Sequence, residues 1–420
     1  KGRLWGKKRS CILLLMEDWA RILFVKGGRV RGVRAKENGS QKDNSMILLL
    51  ANTLMWSVLG AYMPFIHSFY SVRGLSTLEI GSLTAITPLL AILVQPFWAY
   101  LSDLTGKRKA VLVSIVLASG IAVQGYRFCH VFGVFVAETL IYGTFSTSLL
   151  PLSDALVSNH AKKSKLGFAK IRMGGTIGFA MMALVLGNVV KSDVNLIFPI
   201  AGAGYGLLAL CYSRLPKDVP QKSVSKRSKG RVFKDNKVLF VFFLAFLVQF
   251  GTSVSGFYGV YVLELGHDQA VMGLSSCISA LSELPILFLA DKILKRFRIN
   301  RLMIFAVFMN ALRMLLVASG MLPLMIGAQV LQSATYMIPY YCCIVFINEN
   351  VVDGKISQGQ SRLAMVQQGF ATVMGSLLGG ALSGQIGLQS TFMAVASGLI
   401  LAGMVSMFVG ERMFPGKGKG

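Results

Sequence analysis

AYLSDLTGKRK at residues 99–109 and LFLADKILKRF at 287–297 share one pattern: an apolar run, a small residue with an aspartate (Asp103, Asp291), then a basic cluster. Each closes an apolar stretch of about 20 residues, the length a helix needs to cross the hydrocarbon core of a bilayer. Working outward from these two, the same kind of stretch is found at 46–69, 78–101, 110–128, 131–157, 166–190, 195–213, 238–263, 271–291, 300–319, 321–346, 362–385 and 389–410. The two copies of the pattern follow the second and eighth of these spans. A chain of twelve spans that repeats itself after six predicts an all-α membrane protein of two parallel six-helix bundles.

Composition agrees. The 420 residues are 54% apolar and only 15% charged, with a mean hydropathy of +0.61. A soluble chain carries roughly a quarter charged residues. The net charge of +25 would suit nucleic acid if it covered one face of one domain. Here it is divided among short clusters between apolar runs, so no nucleic-acid partner is expected. Lys107, Arg108 and Lys109, then Lys162, Lys163 and Lys165, then Lys292, Lys295, Arg296 and Arg298 follow even-numbered spans. Loops after odd-numbered spans hold little beyond Arg73 and Lys191. Basic loops stay in the cytoplasm, which predicts a multi-pass inner-membrane protein with both termini cytoplasmic. The longest basic loop, 214–237, reads as a linker between an amino-terminal bundle at 45–213 and a carboxy-terminal bundle at 238–411. Residues 1–44 read as a basic, disordered cytoplasmic extension, since CILLL (11–15) is too short to span. Residues 412–420 read as a cytoplasmic tail.

Enzyme chemistry finds no support. There is no HExxH, GxSxG or phosphate-cradling glycine loop. The cysteines (11, 129, 211, 277, 342, 343) lack CxxC spacing, and the four histidines form no ligand cluster, so no metal or cofactor is expected.

Ionisable residues inside a membrane are rare and mark function. Asp154 lies toward the cytoplasmic end of the fourth span and Arg172 in the first turns of the fifth. Glu283 is mid-span in the eighth and Arg313 well inside the ninth. One acid and one base per half fit a central polar cavity. A packing role stands beside each: Arg172 reaching back to the interface, Asp154 capping a helix end, Glu283 and Arg313 as a buried pair. Glu138 is nearer the periplasmic side, and Arg127 is interfacial. Asp103 sits before a tight turn at Gly106, beside Arg108. With Asp291 in the second copy, it is a candidate switch that stabilises one conformation by meeting a helix N-terminus or an arginine.

GAYMPF (60–65), QPFWAYLSDLTGKRK (95–109), PLSDAL (151–156), KIRMGGTIGF (170–179), SELP (282–285) and ALRMLL (311–316) together resemble the oligosaccharide:proton symporter branch of the major facilitator superfamily, with its phenylpropionate-type and nucleoside-type relatives. The resemblance covers about residues 45–410. It implies that Asp154 and Arg172 grip the substrate and that Phe179 stacks on a sugar ring. It implies that Glu283 and Arg313 link substrate and proton sites. On the tenth span the family's histidine and proton-carrying glutamate fall on Gln332 and Thr335. Gln332 remains a substrate-binding candidate, and the proton must sit elsewhere, with Glu283 the first choice. The implied function is inward transport of a sugar or glycoside with a proton by a monomer. An aromatic acid or a nucleoside is the alternative substrate, and a non-transporting membrane sensor a distant one.

Overall fold

The computed structural model describes residues 45–161, 168–215, 232–233, 237–352 and 355–413, without the side chains of 158–161, 168–169, 287–288, 290–291 and 357. The expected extension (1–44), most of the linker and the end of the tail lie outside the described residues.

Ten segments are long and apolar enough to cross a membrane. In chain order, α1 is Ser45–Val72, α2 Thr77–Thr105, α3 Arg108–Phe128, α4 Phe132–Val157, α5 Phe168–Val189 and α6 Val194–Arg214. The second half begins with α7, Lys237–Glu264. Next comes α8, Gln269–Arg296, equally long but with Glu283 inside it and basic residues in its last turn. Then follow α9 Ile299–Ala318 and α10 Leu322–Asn350. The tenth apolar segment, Gln358–Met413, is two helices broken at Gly387, whose φ of 79° no helix tolerates. They are α11 (358–386) and α12 (388–413). The molecule is therefore an all-α protein of twelve membrane helices in two six-helix bundles.

Local chemistry places the helix ends. α2 opens with a capping box, in which Ser76 accepts from the Glu79 amide and the Glu79 side chain returns to the Ser76 amide. These bonds satisfy donors that a helix start leaves free. It ends at Gly106 in the left-handed region, φ 62°, a conformation open to glycine at little steric cost. Beyond that turn the Arg108 guanidinium meets Asp103 at 2.8 Å. Lys109 donates to the Leu215 carbonyl at the end of α6.

The two halves touch where side chains vanish. A Cβ on Gly273 of α8 would come within 2.4 Å of the Ala183 carbonyl of α5, and one on Gly187 within 2.9 Å of the Gly273 Cα. Gly81 of α2 meets the Ser376 carbonyl of α11 in the same way, and Thr77 donates to the Gly380 carbonyl at 2.9 Å. Ser68 of α1 donates to Gln269 of α8 at 3.1 Å, and Lys191 pairs with Asp268 at 3.4 Å. His67 of α1 packs on Phe257 of α7, centroids 6.1 Å apart. All these residues lie near helix ends remote from the basic loops. The seam between the halves is thus closed on the face opposite the basic one. Backbones meeting through small residues is how helices associate in lipid, where apolar surface alone gives no preference for protein over tails.

Candidate functional site

Four of the charged residues singled out from the sequence, Asp154, Arg172, Glu283 and Arg313, come within electrostatic reach of one another between the halves, on the basic-face side of the seam. Arg172 of α5 reaches over α1, its guanidinium carbon 4.0 Å from the centre of the Trp56 ring. The indole reaches this place because position 175 is glycine: a Cβ there would fall 2.5 Å from Trp56 Cδ1. One residue before the arginine, Asn52 of α1 donates to the Ile171 carbonyl at 2.7 Å within a buried contact. The α1–α5 pair therefore fixes where the guanidinium sits, and a cation over an indole face gains roughly 0.5–2 kcal/mol. Among the described residues its N–H groups have no hydrogen-bond partner. Asp154 of α4 acts on Arg172 through space.

Glu283, half-buried on α8, is within Coulombic reach of Arg172 from the other half and of Arg313 from its own, and its side chain meets the Gln332 amide. Pro285 lies inside the same helix, removing a backbone bond and opening the turn around the glutamate. Arg313 is held differently. One nitrogen donates to Gln332 Oε1 and another to Gln329 Oε1 at 2.6 Å. Gln329 is itself fixed, accepting from Ser279 at 3.2 Å and donating to the Met325 carbonyl at 3.1 Å. A cavity beside this arginine is walled by Tyr258, Val317 and Phe392, and Tyr258 bonds Ser275 at 2.6 Å.

The α10 stretch that carries Gln332 is not regular. Residues Ser333–Met337 form a π turn, a widening often found at functional sites. Thr335 is buried there and donates to the Gln332 carbonyl at 3.3 Å. Tyr336 and Tyr340 stack with centroids 6.3 Å apart and planes 20° apart. Tyr336 is in electrostatic reach of Glu283, Arg172 and Asp154, so this pair extends the cluster with an aromatic wall.

Phe179, seven residues after Arg172 on the same stripe of α5, packs on Ala180, Cys277 and Ala280 in the α5–α8 seam. Asp103, Gly106 and Arg108 form one turn at the basic face, as described. Asp291 has the same position in the second half, with its side chain outside the described set. Glu138 lies against the Gly125 backbone, away from the cluster, and one of its oxygens is buried with no hydrogen-bond partner. Trp56, Tyr336 and Tyr340 were missed in the sequence reading. Aromatic residues are common in membrane helices, and only the crossing geometry shows which ones face inward. The stretch RMGG (172–175) was a usable signal for Trp56, since paired Gly174 and Gly175 announce a close neighbour. Among the described residues no group of three His, Cys, Asp or Glu side chains is arranged for a metal ion.

Comparison with known proteins agrees with this fold. Over 237 residues the chain is 23% identical to the YwbF transporter of Bacillus subtilis, spanning 55% of this chain and 59% of that one. It is 24% identical to the maltose permease of Geobacillus stearothermophilus over 63% of this chain and 69% of the permease. Its fold superposes on a crystal structure of a mutant of the nucleoside transporter NupG with a TM-score of 0.78, covering 86% of this chain and 98% of that one at 17% identity. At that identity the likeness speaks for the fold alone. These relatives are transporters and not enzymes. The model of the MFS_1 like family matches residues 47–394, and the chain accordingly belongs to that family of multi-pass membrane transporters.

Proposed function

We propose that the protein moves a sugar or glycoside by alternating access, with a proton as coupling ion. The observation that carries this reading is the charged cluster between the halves itself. Arg172 offers uncommitted N–H donors against an aromatic face, Glu283 stands opposite, and Tyr336 and Tyr340 wall the same space. Planar donors suit vicinal hydroxyls, and ring faces suit the apolar side of a pyranose. A maltose permease among the relatives supports the class. The stacked tyrosines favour a second reading, a nucleoside or aromatic acid lying on that wall.

In this reading the basic face is cytoplasmic, by the positive-inside bias, in the plasma (inner) membrane of the cell, with both termini on that side. The closed seam then lies on the non-cytoplasmic side, and a single monomer suffices. Glu283 carries the proton. Arg172 and Arg313 favour its charged form, and solute or helix movement that draws either away returns the proton.

Purified protein in proteoliposomes should take up labelled glycoside, faster with an inward pH gradient, and unlabelled nucleoside should compete weakly. Competition in the reverse order selects the second reading. Uptake indifferent to the pH gradient removes the proton. Binding without flux would make the protein a sensor.

A further inference from the structure

We propose that the groove between α1 and α5 at the basic end binds an anionic glycerophospholipid of the surrounding bilayer, with its phosphate on Lys170 and an acyl chain along Leu49, Met173 and Ile177. The groove has a volume of ≈ 320 Å³ and is lined by Leu49 and Thr53 of α1 and Lys170, Met173, Gly174 and Ile177 of α5.

Helical spacing decides which way it faces. Positions 170, 173, 174 and 177 recur at i, i+3, i+4 and i+7 and share one stripe of α5. Arg172 and Phe179, seven apart, lie on another stripe, and Ala180, Ala183 and Gly187 turn toward α8. The groove stripe is the side of α5 turned away from the central cluster, toward lipid. Ile177 and Met181 continue it, 46% and 59% exposed.

Its chemistry is that of a lipid with a charged head. The Thr53 hydroxyl proton is already given to the Leu49 carbonyl at 2.8 Å. That leaves a wall of methyl and methylene groups with one cation at the membrane edge. Lys170 is exposed, and no carboxylate among the described residues pairs with it. A soluble anion would match the ammonium but gain nothing from the wall. A neutral chain would match the wall and leave the ammonium unanswered. A phosphodiester bearing net charge with a chain attached answers both. The site also touches the transport machinery. Lys170 lies two residues before Arg172, beside the Asn52–Ile171 bond that joins α1 to α5. A lipid here braces the pair of helices that holds the Arg172 plane.

The test uses the full chain in neutral detergent, titrated with phosphatidylglycerol or phosphatidylcholine while thermal unfolding is followed. Wild type should be stabilised at lower phosphatidylglycerol than phosphatidylcholine concentration, since a ligand of the native state raises its stability. Lys170→Gln should raise the phosphatidylglycerol half-saturation about fivefold, the weight of one basic residue at an anionic surface, with the phosphatidylcholine response unchanged. Lys170→Arg should retain the wild-type preference. Met173→Trp and Ile177→Trp, which fill the groove without altering charge, should weaken the phosphatidylglycerol response. A phosphatidylglycerol bearing a photoreactive acyl chain should label the 170–181 segment of wild type and lose that labelling in either tryptophan variant. Equal responses of wild type to both lipids, or an unaltered phosphatidylglycerol response in Lys170→Gln, would overturn the headgroup contact. Labelling that stays in 170–181 after the groove is filled would overturn the chain contact.

Discussion

Each half of the molecule carries an arginine within its membrane helices, and the two are held in opposite ways. Arg172 of the amino-terminal half rests on the Trp56 indole at 4.0 Å, a contact that uses the face of the guanidinium and leaves its edge donors open. Arg313 of the carboxy-terminal half has its edge occupied by the amide oxygens of Gln329 and Gln332. A cation held by its face can recruit a new acceptor without giving one up, whereas a cation held by its edge must exchange partners. The first arrangement suits the capture of a solute and the second suits a response to it. Glu283 is within electrostatic reach of both arginines, so under the proposed cycle it is the group through which capture in one half would be communicated to the other.

The sharpest way to break this comparison is to fix Glu283 in its uncharged form. Glu283→Gln should abolish accumulation driven by a pH gradient while retaining exchange of labelled for unlabelled solute, which needs no deprotonation. Accumulation that survives would move the proton to another group. Exchange that is lost as well would make Glu283 a binding residue first.

Next in size is a pair of conservative changes. Arg172→Lys keeps the charge but loses the planar fork, and should weaken solute binding about 100-fold, or ~3 kcal/mol, the upper range for hydrogen bonds to charged groups. Arg313→Lys should weaken binding less than about tenfold, ~1.4 kcal/mol, and lower thermal stability instead, because it leaves a buried glutamine acceptor unsatisfied. Equilibrium binding and unfolding measured side by side separate the two. Equal binding losses would erase the distinction between capture and response.

Trp56→Leu removes the surface on which Arg172 lies, and about tenfold weaker binding should follow, within the range of a partly desolvated cation–π contact. Trp56→Phe should restore most of it. The smallest effect belongs to the exposed Lys191–Asp268 pair across the seam. Lys191→Ala should alter transport by no more than about fivefold, since exposed ion pairs contribute about 0–1 kcal/mol, and added salt should mask even that. Reaction of the buried Cys277 with a thiol reagent added from the non-basic face would report any opening of the seam.

The fold was legible because hydrocarbon is a severe filter. Twelve apolar stretches, two matching Asp-and-basic turns and an alternation of charged loops leave few architectures open. The helix ends were less so: α2 runs Thr77–Thr105, past the expected 78–101, because a helix continues in polar sequence until a residue such as Gly106 stops it. Arg172, Glu283 and Arg313 were legible because charge in a membrane needs a reason. Their partners were not. Gln329, Trp56 and Tyr336 look like ordinary membrane-helix residues, and their roles depend on how α1 crosses α5 and how α10 is wound. Phe179 illustrates the same limit: its spacing from Arg172 is visible in the sequence, but the seam that receives its ring is not.

The π turn at Ser333–Met337 holds one residue more than an α-helical turn would. One residue is worth about 100° of rotation around a helix axis. If the turn tightens, the part of α10 on one side of it rotates by that step relative to the other, carrying Tyr336 and Tyr340 around with respect to Gln332 without any bundle moving. Such a step would make the orientation of the aromatic wall a coordinate separate from the opening and closing of the halves.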